Sequence, residues 1–273
     1  MVYCLSVLYN SLWNQSFFPY GFREIVFDNS TQKEIQILNQ KRARALGVIY
    51  ITQGTNVGLA KAYNFVFQTF LSSDDWLVIL DSDNAISETY FAEVNQAIRS
   101  NEYLAYTPIN IDNLSRKIDS PRKIVNKFLF TSSQTSKKDV SPGFLMTINN
   151  GFLVSKKAFD KVGGYNENLF LYFVDSCFSM SLYFNKIQIG ILNYKNECDF
   201  SFHKLPYKKL KNKLSLMKSD ASVYYRWLYQ KTEHPLRYIL HYLFFNIKKS
   251  AECAKATSFK YFFSYLFARR IRK

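Results

Sequence analysis

Trp76–Leu80 (WLVIL) is the feature that most constrains this chain: five consecutive apolar residues, ending abruptly at Asp81-Ser82-Asp83. A strand covered on one face alternates apolar and polar residues. A run without alternation belongs to a strand covered on both faces. Residues 76–80 are therefore expected inside a sheet sandwiched between helices, with two carboxylates at its exit. Val2–Leu8, Glu24–Phe27, Val48–Thr52 and Leu104–Ile109 read as further strands. Gln32–Leu46, Leu59–Leu71 and Glu88–Arg99 read as helices, the last with Ser87 as its N-cap. This alternation predicts an α/β fold: a mostly parallel sheet flanked by helices. Ligands of such sheets bind at the carboxyl ends of the strands. Asp28, Asn56, Asp81 and Asp83 all follow predicted strands and are expected to converge there.

The rest of the chain is less regular. Asn10–Gly21 reads as a loop or short helix. Asn110–Val140 is polar, rich in Lys and Ser, and without a period, so it reads as a loop or mobile insertion. Phe144–Ile148 and Phe152–Val154 resume as strands. A helix follows over Lys156–Val162, closed by Gly163-Gly164. Leu169–Phe184 reads as an apolar helix interrupted by one charge, Asp175, and Ile187–Leu192 as a strand. There is no internal repeat.

Four groups can carry chemistry. Asp81 and Asp83, just beyond a buried strand, can grip a hard divalent cation and a ribose hydroxyl together, and such a cation neutralises a diphosphate leaving group. The plainer reading is a solvated polar turn, as expected for Asp74-Asp75 at the other end of the same strand. Asp175, among Leu171, Tyr172, Phe178 and Ser179, is expected to be partly desolvated. That raises a carboxyl pKa and suits a general base; the alternative is an exposed stripe of an amphipathic helix. His203 can complete an oxygen-rich metal site or be merely structural. Asn56–Asn64 turns into a helix whose N-terminus, with Lys61, attracts phosphate; it reads equally as a capped packing helix.

Charge divides the chain. Residues 1–203 hold 19 Lys/Arg against 18 Asp/Glu, whereas residues 204–273 hold 17 against 3, so nearly all of the +15 net charge lies in the last quarter. A nearly neutral body with a basic tail seeks an anionic partner. The tail also holds 15 aromatic residues. Phe259, Phe262, Phe263 and Leu266 fall on one helical face ahead of Arg269, Arg270, Arg272 and Lys273. Such a segment suits an anionic bilayer surface, or a helical subdomain packing its rings on the body. Hydrophobic residues make up 48% of the chain, which excludes a disordered protein. Cys4, Cys177, Cys198 and Cys253 form no CxxC motif; Cys4 and Cys177 read as core residues. The chain opens directly on the strand-like run Val2–Leu8, so no leader and a cytosolic, reducing location are expected. The longest apolar candidate, Tyr238–Ile247, is too short for a membrane span.

Taken together, IVFDNST (25–31), NVGLAKAYN (56–64), VILDSDNAI (78–86), NNGFLVSKKAFDKVGGYNENLF (149–170) and FVDSCF (173–178) resemble the inverting family 2 glycosyltransferases of the GT-A fold. The closest flavour is the rhamnosyltransferase-like branch that builds O-antigens and capsules. The likeness covers residues 1–203 as a catalytic domain and leaves 204–273 as a basic, aromatic, mainly helical extension. It implies that Asp28 contacts the nucleotide base or ribose, and that Asp81 and Asp83 hold the ribose and an Mg²⁺ or Mn²⁺ ion, with His203 as a third ligand. It further implies that Asp175 deprotonates the acceptor, and that Asn150 and Gly151 line the donor-sugar and acceptor pocket. The implied donor is a UDP- or dTDP-sugar, the acceptor a saccharide or lipid-linked saccharide, and the location cytoplasmic or peripheral at a membrane. The chain departs from the common pattern at Val174, where many relatives carry Glu though the rhamnosyltransferase-like branch tolerates the change, and at Ser181, where an Arg is common. A nucleotidyltransferase would want a Gly-rich loop after the first strand, where this chain has Tyr9-Asn10-Ser11-Leu12. A nucleic-acid-binding protein would explain the basic tail but not Asp81, Asp83 and Asp175. A non-catalytic scaffold leaves these same three carboxylates unexplained.

Overall fold

A computed structural model describes residues 1–8, 21–81, 86–113, 115–124, 132–134, 140–198, 207–232 and 235–256. Its main sheet runs in the order β11-β5-β10-β4-β1-β2-β3, with β6 added against β5. The strands are β1 (Val2–Leu8), β2 (Arg23–Asp28), β3 (Ile49–Thr52), β4 (Trp76–Asp81), β5 (Ala105–Asp112), β6 (Ile118–Ser120), β10 (Phe152–Ser155) and β11 (Gly190–Cys198). A small second sheet pairs β7 (Arg122–Ile124) with β8 (Ser132–Gln134) and β9 (Leu145–Met146). The helices are α1 (Lys33–Ala45), α2 (Leu59–Phe70), α3 (Glu88–Ser100), α4 (Lys156–Val162), α5 (Val174–Phe184), α6 (Tyr207–Lys231) and α7 (Pro235–Ala256).

The apolar run of β4 feeds two cores. Leu77 and Ile79 enter one with α2, α4 and α5, while Trp76, Val78 and Leu80 enter the other with Tyr90, Phe91 and Val94 of α3. Alternate residues of a strand point to opposite faces, so an unbroken apolar sequence is what a doubly covered strand requires. Each fully buried Leu or Ile here contributes about 1.5–3 kcal/mol. β1, β2, β3 and β4 are parallel, with Leu8, Asp28 and Thr52 in one row and Asp81 beside Val7. β10 enters antiparallel between β4 and β5, so its first residues start at the edge where the parallel strands end.

The sequence reading and the structure differ in four places, each for a physical reason. Residues 110–140 are not all loop: β5 continues to Asp112, and β6, β7 and β8 follow. Strands of three residues are too short to show a period, and pairing rather than pattern holds them. The predicted helix over Leu169–Phe184 begins only at Val174. Asp220 of α6 takes up the backbone N–H groups of Phe170, Leu171 and Tyr172 at 3.2, 2.9 and 2.9 Å. Phe173 is then left-handed, with φ 61°. β11 runs on to Cys198, alternating exposed Lys195 and Glu197 partners with buried Asn196 and Cys198 across a register shift. Asp75 is not solvated: it is buried, with Met1's ammonium 2.6 Å away and the Ser72 N–H 2.8 Å away. Burial pushes its carboxyl up, but these donors more than offset that and hold it below the usual value.

The helical extension joins the body. Tyr224 and Leu228 of α6 belong to the same core as β1, β4 and α5. Phe173 stacks on Tyr224 at 5.0 Å and meets Phe245 of α7 at 5.4 Å. For these residues the rings pack on the body of the fold, as one of the two expectations had it. Phe259–Lys273 lie outside the described residues.

Candidate active site

The carboxyl edge of the parallel strands carries the site. Two motif segments far apart in sequence are locked together beside it. Asn64 of α2 donates to the Tyr165 carbonyl at 2.9 Å and accepts the Tyr165 N–H at 2.8 Å. The Leu59 N–H reaches the Phe170 carbonyl at 2.7 Å. Gly58 sits at φ +86°, and a Cβ there would lie 2.8 Å from Phe170. No other residue fits such a left-handed, crowded position without strain. These contacts explain why NVGLAKAYN and GGYNENLF accompany one another: one is the seat of the other.

A cavity of about 670 Å³ opens at this edge, lined by Val7, Asn29, Asn56, Gly58, Phe170 and Tyr172 and closed by Asn212, Lys213 and Leu216 of α6. Its size falls within the range of small-molecule sites. Burial pushes the Lys213 ammonium pKa down. Asn56 accepts the Gly58 N–H at 2.9 Å, and Asn29 accepts the Val57 N–H at 3.2 Å, so both asparagines also shape the turn. Lys61 is exposed on α2 and is not among the cavity's lining residues.

Asp28 stands behind the wall. It is wholly buried and accepts the Ser30 N–H at 2.8 Å, the Asn39 amide at 2.9 Å and the Tyr50 hydroxyl at 2.9 Å. Burial and this carboxylate push the Tyr50 phenol pKa up. The residue facing the cavity is its neighbour, Asn29.

Asp175 occupies the first turn of α5, three residues after Tyr172 of the cavity wall. Its carboxylate is half-buried and accepts the Ser176 N–H at 2.7 Å. Burial raises its pKa above the ordinary value; the Ser176 hydrogen bonds oppose the rise and the charge on Asp119 adds to it. Buried Tyr165, which feels the Asp175 charge, stacks on Phe178 at 4.1 Å and donates to Asn149 at 3.3 Å. A carboxylate with a raised pKa can accept a proton from a bound hydroxyl.

Asn150 and Gly151 form the turn that leads into β10 beside β4, where the Gly151 N–H donates to the Ile79 carbonyl at 2.8 Å. Tyr90 donates to the Gly151 carbonyl at 2.8 Å, and Asn150 reaches Cys198 Sγ at 3.2 Å. Asn150 therefore ties β10 to the end of β11. Asp81 closes β4 at this edge. Asp83 and His203 lie outside the described residues, and no group of three His, Cys, Asp or Glu side chains that could hold a metal occurs among the described ones.

Sequence reasoning missed Asp220, Lys213 and Asn29. The signal for Asp220 was present: it is one of three acids in the basic last quarter. It is also 1% exposed, and a buried carboxylate must find donors.

A search of curated proteins finds no match. Similar solved structures include S. aureus TarS 1–349, at 16% identity and TM-score 0.53, covering 98% of this chain and 75% of that one. S. aureus TarS 1–349 in complex with UDP-GlcNAc aligns at 15% identity and TM-score 0.52, covering 98% and 76%. Against a longer S. aureus TarS chain the identity is 16% and the TM-score 0.51, and 98% of this chain spans 46% of that one. At such identities the likeness speaks for the fold, a GT-A sheet with its flanking helices. The model of the family described as "Glycosyl transferase family 2" matches residues 5–163, more than half of the chain, and on that match, carried by this sheet and edge, the chain belongs to glycosyl transferase family 2.

Proposed function

We propose that the protein transfers a sugar from a nucleotide-sugar donor to a saccharide hydroxyl, with inversion at the anomeric carbon. The observation that carries this reading is Asp175, half-buried and with its pKa raised by burial, three residues beyond Tyr172 in the wall of a cavity of about 670 Å³. Asn29, Asn56 and Lys213 line that cavity, supplying amide and cationic partners for a base, a ribose and a diphosphate. The S. aureus TarS fragment was solved with UDP-GlcNAc and with UDP, which supports a UDP-sugar here; a dTDP-sugar is the alternative.

In the reaction, the Asp175 carboxylate takes the acceptor hydroxyl proton. The acceptor oxygen attacks the anomeric carbon from the face opposite the diphosphate, and the carbon–oxygen bond to the diphosphate breaks. Asp81, Asp83 and His203 would hold Mg²⁺ or Mn²⁺: two carboxylates and an imidazole form a donor set that a divalent cation accepts. The cation would supply charge neutralisation for the leaving diphosphate. Asp28 acts from behind, fixing the turn that presents Asn29. Hexosyl or rhamnosyl transfer to a lipid-linked saccharide, in capsule or O-antigen synthesis at the membrane surface, is the setting that the basic extension favours.

Calorimetric titration with UDP, dTDP, GDP and CDP, each with Mn²⁺, with Mg²⁺ and with EDTA, tests the reading. Metal-dependent binding of one nucleotide supports it and selects the donor. A folded protein that binds none of them overturns it.

A further inference from the structure

Helix α7 presents an apolar face that nothing in the described chain covers. Leu236, Ile239, Leu240, Leu243, Phe244 and Ile247 are all exposed, with Leu236, Leu240 and Phe244 at 72, 64 and 69%. Their spacing of three and four residues puts them on one stripe. The opposite face is anchored: Tyr242 meets Tyr225 at 5.8 Å, and Phe245 meets Phe173 at 5.4 Å. The helix is thus held in one rotation, with six large apolar side chains turned outward. A continuous stripe of this kind exceeds the scattered exposure normal for a soluble surface.

The charge around the stripe selects the occupant. Residues 204–273 carry 17 Lys/Arg and 3 Asp/Glu, and Lys248 lies exposed beside Ile247. Two copies meeting through this face would bring two such basic segments together, a repulsive arrangement. An anionic bilayer surface offers the reverse: acyl chains for the stripe and negative headgroups for the cations. No described helix is long and apolar enough to cross a membrane, so α7 would lie in the interface plane.

We propose that α7 docks this protein on anionic lipid, its Leu236–Ile247 stripe inserted among the acyl chains. This deepens the lipid-linked acceptor reading and rests on it only for its purpose: α7 packs on Phe173, two residues from Asp175, so docking brings the base to the membrane surface.

The test is co-sedimentation of the full chain with vesicles of phosphatidylcholine alone, and of phosphatidylcholine and phosphatidylglycerol in equal parts. L240E/F244E is assayed beside the wild type, with circular dichroism and calorimetric nucleotide binding as controls. Wild type is expected to partition at least about tenfold more strongly onto the anionic vesicles, and L240E/F244E to lose at least about tenfold of that while keeping its helicity and nucleotide affinity. Three results would overturn the proposal: no binding to anionic vesicles, equal binding by L240E/F244E (placing the contact elsewhere, as in residues 257–273), or a wild-type dimer without lipid binding that L240E/F244E dissociates. Vesicle binding without nucleotide binding upholds docking and defeats only the transfer reading.

Discussion

Asp220 Oδ2 accepts the backbone N–H of Tyr172 at 2.9 Å, across 48 residues of sequence. The same carboxylate holds Phe170 and Leu171, so one helical side chain fixes the turn segment that leads into α5.

Asp220→Ala should therefore act on stability and on the site together. Three N–H groups lose a charged acceptor, at a cost of roughly 3 kcal/mol, and Tyr172 is no longer fixed in the cavity wall. Thermal unfolding should show the loss. Nucleotide affinity and kcat should both fall, and Asp220→Asn, which keeps one acceptor oxygen, should fall less. Unchanged nucleotide affinity in a folded Asp220→Ala protein would disconnect the clasp from the cavity.

Asp175→Asn should lower transfer by about 10²–10⁴-fold, the range for loss of a general base, and leave donor binding intact. Transfer by the wild type should rise with pH through the raised pKa of Asp175, since only the ionised form accepts a proton. The stability sign is opposite. A carboxyl whose folded pKa lies above its unfolded value favours the folded state most when protonated, and this contribution is lost as pH rises through the folded pKa. Asp175→Asn should accordingly raise Tm at neutral and alkaline pH and change it little in acid. A lower Tm at neutral pH would contradict the desolvated placement.

Gly58→Ala adds a methyl group 2.8 Å from Phe170 at φ +86°. It should cost roughly 2 kcal/mol, a Tm fall of about 4–8 °C for a chain of this size. Because Phe170 borders the cavity, nucleotide affinity should fall with it; calorimetry separates the two effects.

Asp83→Ala should weaken donor binding in the presence of Mn²⁺ and leave metal-free binding unchanged. Equal affinity of mutant and wild type with Mn²⁺ would remove Asp83 from the metal site.

Much of the frame was legible in the sequence because burial leaves a periodic mark. The unbroken run at Trp76–Leu80 announces a strand covered on both faces, and Gly163, left-handed at φ 79°, ends α4 where expected. What was not legible depends on partners distant in the chain. The start of α5 is set by Asp220, not by any residue near Leu169, so apolar periodicity overran it. β7 and β8 exist through pairing such as Arg122 with Gln134, which no local pattern reports. Asp28 was visible as an acid at a strand end. Only the fold shows its oxygens occupied by Ser30, Asn39 and Tyr50, with Asn29 set at the cavity instead.

The position of α6 in the chain has a consequence for biosynthesis. The main sheet is complete once β11 has been made at Cys198, yet Lys213, Asp220 and Tyr224 come later. A nascent chain paused after Cys198 would hold every strand and helix up to α5, but neither the far wall of the cavity nor the clasp on the segment before Asp175. The far cavity wall and the clasp on Tyr172 are thus made only after the strands they close over, when α6 follows β11 in the chain.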